Sequence, residues 1–206
     1  MMAPRNRKQG FLVAIGGPSG VGKSTLASGI ASGHDVVSAE IDLLWKQQLG
    51  IAPTVRAEAG SYTQESREKV LAAFDGVCVS ALVVGRTVIA QKNFLKQEDR
   101  EAVERLARKC DARFLGIWLD APQTVLKSRI SQRDENFSDA PASIVRKQAA
   151  MDKGDITWRM LDARNDADDV LEEALKLIRA HGPLPQARRP TPERFLHLEH
   201  LLNGGK

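Results

Sequence analysis

Short apolar runs alternate with longer stretches of helical period along this chain. Phe11, Leu12, Val13, Ala14 and Ile15 form a continuous apolar run that Gly16 and Gly17 stop, the signature of a strand buried on both faces. A helix is expected over 23–32, with Gly33 as its stop. Val36, Val37, Ser38 and Ala39 predict a second strand leading to Asp42 and a helix over 43–49. Residues 50–61 hold Pro53 and two glycines and read as a loop. Thr63 then caps a long helix reaching about Val84, with Gly85 at its end. Thr87, Val88, Ile89 and Ala90 make the third strand. The segment 97–109 is amphipathic, with Val103, Leu106 and Ala107 on one face.

Phe114 to Leu119 is a fourth strand, written FLGIWL and ending at Asp120. Pro122 suits the first turn of a helix running to about Arg133. Residues 135–140 are polar and loop-like, and Pro141 starts another helix reaching about Met151. A fifth strand is expected over 158–161 and a last helix over 168–180, where Val170, Leu171, Ala174, Leu175 and Ile178 keep helical spacing. Strands alternating with helices predict an α/β fold, a parallel sheet with helices on both faces. After Gly182 the composition changes. Pro183, Pro185, Pro190 and Pro192 with Arg188 and Arg189 suggest a linker before a short helix over 192–202. The expected organisation is one domain over 1–181 and an appendage over 182–206.

Composition narrows the class. With 206 residues, 42% apolar and 27% charged, the chain suits one soluble domain. A net charge of +4 fits an anionic ligand. It does not by itself point to nucleic acid, since the basic residues are spread along the chain. Cys78 and Cys110 have neither paired nor metal-type spacing, so reduced thiols are expected. No apolar run reaches the roughly 18 residues that span a membrane. The polar, basic start of the chain does not read as a signal peptide. A cytoplasmic protein without a membrane partner is expected.

The segment Gly17, Pro18, Ser19, Gly20, Val21, Gly22, Lys23, Ser24, Thr25 matches G-x-x-x-x-G-K-[ST] between an apolar strand and a helix. Each position has a reason. Backbone N–H groups must converge on phosphate oxygens, which glycine allows at Gly17, Gly20 and Gly22. The following helix adds unpaired N–H donors and the positive end of its dipole. Lys23 supplies a point charge to the β- and γ-phosphates, and the Ser24 hydroxyl ligates Mg²⁺. The segment thus reads as a site for ATP or GTP with Mg²⁺.

The run from Ile15 to Ala27, and the outline of the chain over about 10–180, resemble small P-loop kinases of the AAA-like predicted kinase type. These are related to polynucleotide kinase, zeta toxin, chloramphenicol phosphotransferase and gluconate kinase. The resemblance implies a five-stranded parallel sheet in the order 2-3-1-4-5 and an arginine-bearing lid, here over about 127–150. It implies ATP as phosphoryl donor, Mg²⁺ as cofactor and a hydroxyl as acceptor. Asp42 stands where such kinases carry an acidic residue near the acceptor hydroxyl. There it can accept the acceptor's proton or hold a water on Mg²⁺, or it can cap the helix that follows. Glu40 is a weaker alternative. Relatives often have an arginine three residues after the aspartate; Trp45 stands here, followed by Lys46.

Arg129 and Arg133 are four apart and share a helix face. As lid arginines they would stabilise the transferring phosphoryl group; as surface residues they would pair with Asp134 and Glu135. Arg146 is a further lid candidate. Arg164, after the fifth strand, lies where relatives pass the adenine ring and could stack on it or stay exposed. Where relatives read strand, Asp, Ala, Thr, Phe, this chain has Gln91, Lys92, Asn93 and Phe94 after the third strand. An amide at 91 can orient a water but is neither a base nor a strong Mg²⁺ ligand. His197 and His200 lack a third metal ligand in sight. Trp118 is expected in the core; Trp45 and Trp158 could line an acceptor pocket.

The expected activity is Mg²⁺-assisted transfer of the ATP γ-phosphoryl group to a small-molecule hydroxyl. Two rivals stand beside it. A nucleic-acid 5′-hydroxyl kinase would need a basic groove with stacking aromatics, and only ten aromatic residues occur. A nucleotide-binding module without transfer is the other, with Gln91 as its argument.

Overall fold

The computed structural model describes residues 8–52, 55, 63–132 and 142–187. In chain order the elements are β1 (Phe11–Gly16), α1 (Lys23–Gly33), β2 (Val37–Glu40), α2 (Ile41–Gln48), α3 (Gln64–Leu82) and β3 (Thr87–Gln91). They continue with α4 (Gln97–Lys109), β4 (Arg113–Asp120), α5 (Gln123–Gln132), α6 (Ala142–Ala149), β5 (Arg159–Asp162) and α7 (Ala167–His181). The five strands are parallel and ordered β2-β3-β1-β4-β5.

The alternation along β1 explains the two layers. Phe11, Val13 and Ile15 face one side of the sheet, where Leu26, Ala27 and Ile30 of α1 and Val170, Ala174 and Ile178 of α7 complete a core. Leu12 and Ala14 face the other, against Phe74 and Cys78 of α3 and Val103 and Ala107 of α4. All six β1 residues are buried, as a central parallel strand requires. Among the described residues no helix is long and apolar enough to cross a membrane.

Three departures from the sequence reading bear on the site. β2 runs on to Glu40 and passes directly into α2. Asp42 therefore lies inside the first turn of α2, and the N-cap is Glu40, so of the two expectations for Asp42 capping is set aside. β5 begins at Arg159, and Trp158 turns into the core at 7% exposure, its ring 5.1 Å from that of Phe94. Its N–H donates to Glu104 Oε1 at 2.9 Å. Trp158 is thus a packing residue, as Trp118 is at 1% exposure. Trp45 packs half-buried against the α3 side.

The start of the expected linker is bound to the domain. Thr87 Oγ1 donates to Pro183 O at 2.8 Å. The Asp35 N–H donates to Pro185 O at 2.8 Å and the Ala187 N–H to Gly33 O at 3.1 Å. His34 and Gln186 form an antiparallel bridge. The expected helix over 192–202, with His197 and His200, lies outside the described residues, as do Arg133, Pro141, Arg188 and Arg189.

Candidate active site

The loop between β1 and α1 takes a shape that few residues allow. Gly17 has φ +136, and a Cβ there would stand 2.4 Å from Leu119 O. Gly20 has φ +84, and its Cβ would meet Ile130 Cγ1 at 2.9 Å and Leu126 O at 3.0 Å. Backbone of this hand, packed this closely, is glycine territory. The Gly17 N–H donates to Asn93 O at 3.0 Å, which ties the loop to the exit of β3. Asn93 is followed by Phe94, a buried aromatic residue at φ 49. A bulky residue in that region is strained, a cost met here by ring packing.

α1 opens at Gly22, which has no side chain to cap the first turn. The first N–H groups of α1 and its dipole are therefore available to an anion. Val21 is buried beneath the loop, while Ser24 and Thr25 are exposed on the first turn. Lys23 Nζ donates to Gly17 O at 3.0 Å and Pro18 O at 2.9 Å, so the ammonium lies folded along the loop. That is the side from which a P-loop lysine meets the β- and γ-phosphates.

Ser24 sits in a cluster from three elements. Gln91 Nε2 donates to Ser24 Oγ at 2.8 Å, and the Ser24 hydroxyl donates to Glu40 Oε1 at 3.3 Å. Gln91 Nε2 also approaches Glu40 Oε1 at 3.3 Å. Glu40 and Gln91 are register partners on β2 and β3, at the carboxyl ends of the strands where α/β sheets bind ligands. The carboxylate that reaches Ser24 is thus Glu40, the weaker alternative of the sequence reading. Asp42 lies two residues further on, exposed. Hydroxyl and carboxylate oxygens are the donors a hard cation takes. Among the described residues no group of three or more His, Cys, Asp or Glu could hold a metal. Ser24 Oγ and the Glu40 carboxylate are thus the groups of this cluster that could hold such a cation, with water completing its shell.

Across the loop lies a cleft of about 360 Å³ lined by Gly22, Thr25, Arg129, Gln132, Ala163 and Asn165. α5 reaches it because Leu126 and Ile130 pack against Gly20, which leaves half-buried Arg129 on the cleft wall. α6 touches the loop at Ser19. The Ser19 N–H donates to Gln148 Oε1 at 2.8 Å, and Gln148 Nε2 donates to Ser19 Oγ at 3.0 Å. No sequence signal marks Gln148. Arg146, on the same helix, is exposed.

Of the two expectations for Arg164, stacking or exposure, the structure shows it exposed and ion-paired. Its guanidinium and backbone N–H both donate to the Asp162 carboxylate. The side-chain bonds from Arg164, and then its backbone bond, hold the Asp162 carboxyl down at about 2. Arg164 lines a separate hollow with Asp120, Pro122, Met160 and Asp162. Its neighbours Ala163 and Asn165, not Arg164, face the cleft beside the loop. The local ion pair wins because a carboxylate two residues away needs no long-range ordering of the side chain.

Several solved structures share this fold. A sugar kinase from Janibacter sp. HTCC2649 is 26% identical and superposes with a TM-score of 0.58 over 81% of this chain and 92% of its own. A gluconokinase from Sinorhizobium meliloti 1021 is 23% identical, with a TM-score of 0.55 over 82% and 92%. The Mycobacterium tuberculosis APS kinase CysC, in complex with AMPPNP and APS, is 15% identical, with a TM-score of 0.57 over 84% and 99%. No curated protein matches the chain in sequence. A family model described as an AAA domain matches residues 12–152. That span holds the loop, Glu40, Gln91, Arg129 and Gln148, and it makes the chain a member of this AAA domain family, in the branch of P-loop kinases.

Proposed function

We propose that this protein transfers the γ-phosphoryl group of ATP, with Mg²⁺ as cofactor, to a hydroxyl of a small molecule. The observation that carries the reading is a convergence. Lys23, Ser24 and the loop amides lie at the carboxyl edge of the sheet, Glu40 ends β2 there with Asp42 just inside α2, and Arg129 stands across the cleft. The sugar kinase, 26% identical over most of both chains, supports a small acceptor.

In this reading the N–H groups of Gly20, Val21, Gly22 and Lys23 cradle the phosphates, and Ser19 and Thr25 close the two ends of the cradle. The Lys23 ammonium leaves the Gly17 and Pro18 carbonyls for the β- and γ-oxygens. Ser24 would hold Mg²⁺, which when bound would supply neutralisation of phosphate charge. Asp42 orients the acceptor hydroxyl and takes its proton. Arg129 offsets charge on the transferring group; Arg133 would join it from beyond the described residues. Phosphoryl transfer asks for little else, since positioning and electrostatics dominate it. The nucleoside would lie in the cleft beside Asn165.

Gln91 favours one second reading. A neutral amide faces Ser24 from β3, which suits a nucleotide-binding module without transfer. One experiment separates the two. Purified protein is mixed with Mg²⁺-ATP and pools of sugars, antibiotics, nucleosides or 5′-hydroxyl oligonucleotides, and ADP is followed. Turnover with a small-molecule pool that Lys23→Ala abolishes supports the kinase. Turnover with oligonucleotides alone would replace the small acceptor by a nucleic-acid end. ATP binding without turnover in any pool would leave the module.

A further inference from the structure

Ser24, Glu40 and Gln91 form a closed triangle at 2.8, 3.3 and 3.3 Å, drawn from α1, β2 and β3. Backbone pairing of Glu40 with Gln91 fixes the contact. Gln91 is only 2% exposed, and among the described residues its buried amide oxygen has no hydrogen-bond partner. Orphaning a buried acceptor costs about 1–3 kcal/mol. Turning the amide over would relieve the oxygen only by setting it against the Glu40 carboxylate. The amide keeps its N–H₂ toward Glu40 and Ser24 and carries the cost. A buried polar group held against its own satisfaction, beside a P-loop serine, points to a ligand at that serine.

We propose that Glu40 is the carboxylate that anchors hydrated Mg²⁺ beside Ser24, and that Gln91 is the positioning residue that aims it. The proposal rests on the reading of the loop as a Mg²⁺-nucleotide site. P-loop proteins pair the loop Ser or Thr with one nearby carboxylate around the metal. Here that carboxylate comes from β2. A carboxylate at 91 as well would bring two negative charges into hydrogen-bond contact, where both do not ionise together. One carboxylate and one amide is the pair the register tolerates. The neutral residue on β3 is therefore the complement of the charge on β2. Asp42 is left to the acceptor side, in the first turn of α2.

The test is calorimetric titration of ATP in EDTA and across a Mg²⁺ series, with bound Mn²⁺ read by electron paramagnetic resonance in the same samples. Glu40→Gln should raise the Mg²⁺ concentration needed for tight ATP binding about 10- to 100-fold. Metal-free ATP binding should not weaken, because the lost charge only repelled phosphate. A folding defect would weaken both. Glu40→Gln/Gln91→Glu moves the carboxylate to β3 at equal reach and should recover most of the lost Mg²⁺ response. An unchanged Mg²⁺ midpoint in Glu40→Gln, or a shift seen with Asp42→Asn in its place, overturns the proposal. Wild-type protein that binds no ATP at any Mg²⁺ level, or a Lys23→Ala variant that binds it as well, removes the nucleotide reading itself and this proposal with it.

Discussion

Ser19 and Gln148 stand 129 residues apart and grip each other twice, backbone N–H to amide oxygen at 2.8 Å and amide nitrogen to hydroxyl at 3.0 Å. The pair joins the phosphate loop to α6. Gln148 is 5% exposed, so each bond is shielded from water. Next to it, Gly20 takes the weight of Ile130 from α5. Both α5 and α6 thus rest directly on the loop.

Gln148→Ala should free α6 from the loop. Two hydrogen bonds worth about 1 kcal/mol each vanish, so hydrogen exchange over 144–149 should quicken about tenfold or more. Exchange in the central strand β1 should stay as it was. Gln148→Glu should behave worse than Ala at neutral pH, because it brings a carboxylate toward the phosphate end of the loop. Uniform acceleration across the sheet would mean that Gln148 serves global stability and not the docking of α6 on the loop.

Much of this was legible in the chain. The β1 run, the loop and the amphipathic face of α4 obey strong local rules, and the strand order followed from the family resemblance. The triangle at Ser24 was harder to read. Glu40 and Gln91 are 51 residues apart, and only the parallel register brings them together. The aspartate at 42 drew attention through its usual role, whereas the helix start at Ile41 moved it out of the cap and left Glu40 at the strand end. Gln148 sits in a polar stretch of α6 with no motif, and its partner comes from tertiary packing. The local pairing of Arg164 with Asp162 was not read from the sequence, although the two are only two residues apart.

Gly116 on β4 lies beneath Trp158. A Cβ there would stand 2.3 Å from the indole Cγ and 2.4 Å from Cδ2. The tryptophan cannot retreat easily, because Phe94 and Phe114 flank it and Glu104 holds its N–H. Gly116→Ala should destabilise by about 1–3 kcal/mol, seen as a drop of about 2–10 °C in Tm. Near-UV circular dichroism should change as the indole shifts. A variant as stable as the parent would show that β4 can yield at this point.

Cys78 is fully buried on α3, and burial pushes its thiol up to about 12, aided by Asp75 and Cys110. Burial also raises Cys110, which is partly exposed. The thiolate is the reactive form, so native protein at pH 8 should leave Cys78 unmodified by a disulfide reagent while Cys110 reacts slowly. Both should react at once in guanidinium. The sign for stability follows. Folding holds the Cys78 proton, so its contribution is complete below the ordinary thiol range and fades as pH climbs toward about 12. Mass spectrometry of labelled peptides reads the order directly, and early labelling of Cys78 would mean that α3 opens readily.

Arg129 and Arg164 offer a paired comparison, since the family resemblance implies a role for both and the structure sets them on different hollows. Arg129 lines the cleft beside Thr25, while Arg164 lines another hollow and is bound to Asp162. With an acceptor from the pools, Arg129→Ala should lower kcat about 10²- to 10³-fold, the cost of one aimed donor at developing charge. Arg164→Ala should change it less than about threefold, a bound that follows from its place outside the cleft. Its effect should appear at Asp162. That carboxyl, held at about 2, should rise into the ordinary carboxylate range in a carbon-detected NMR titration. A depressed carboxyl contributes its stability above the ordinary carboxylate range and loses it as pH falls through about 2. The parent protein should therefore keep this ion pair at pH 3, and Arg164→Ala should lack that protection. If Arg164→Ala instead raised the ATP KM strongly, the base would bind over Arg164, and the cleft beside Asn165 would not be the nucleoside site.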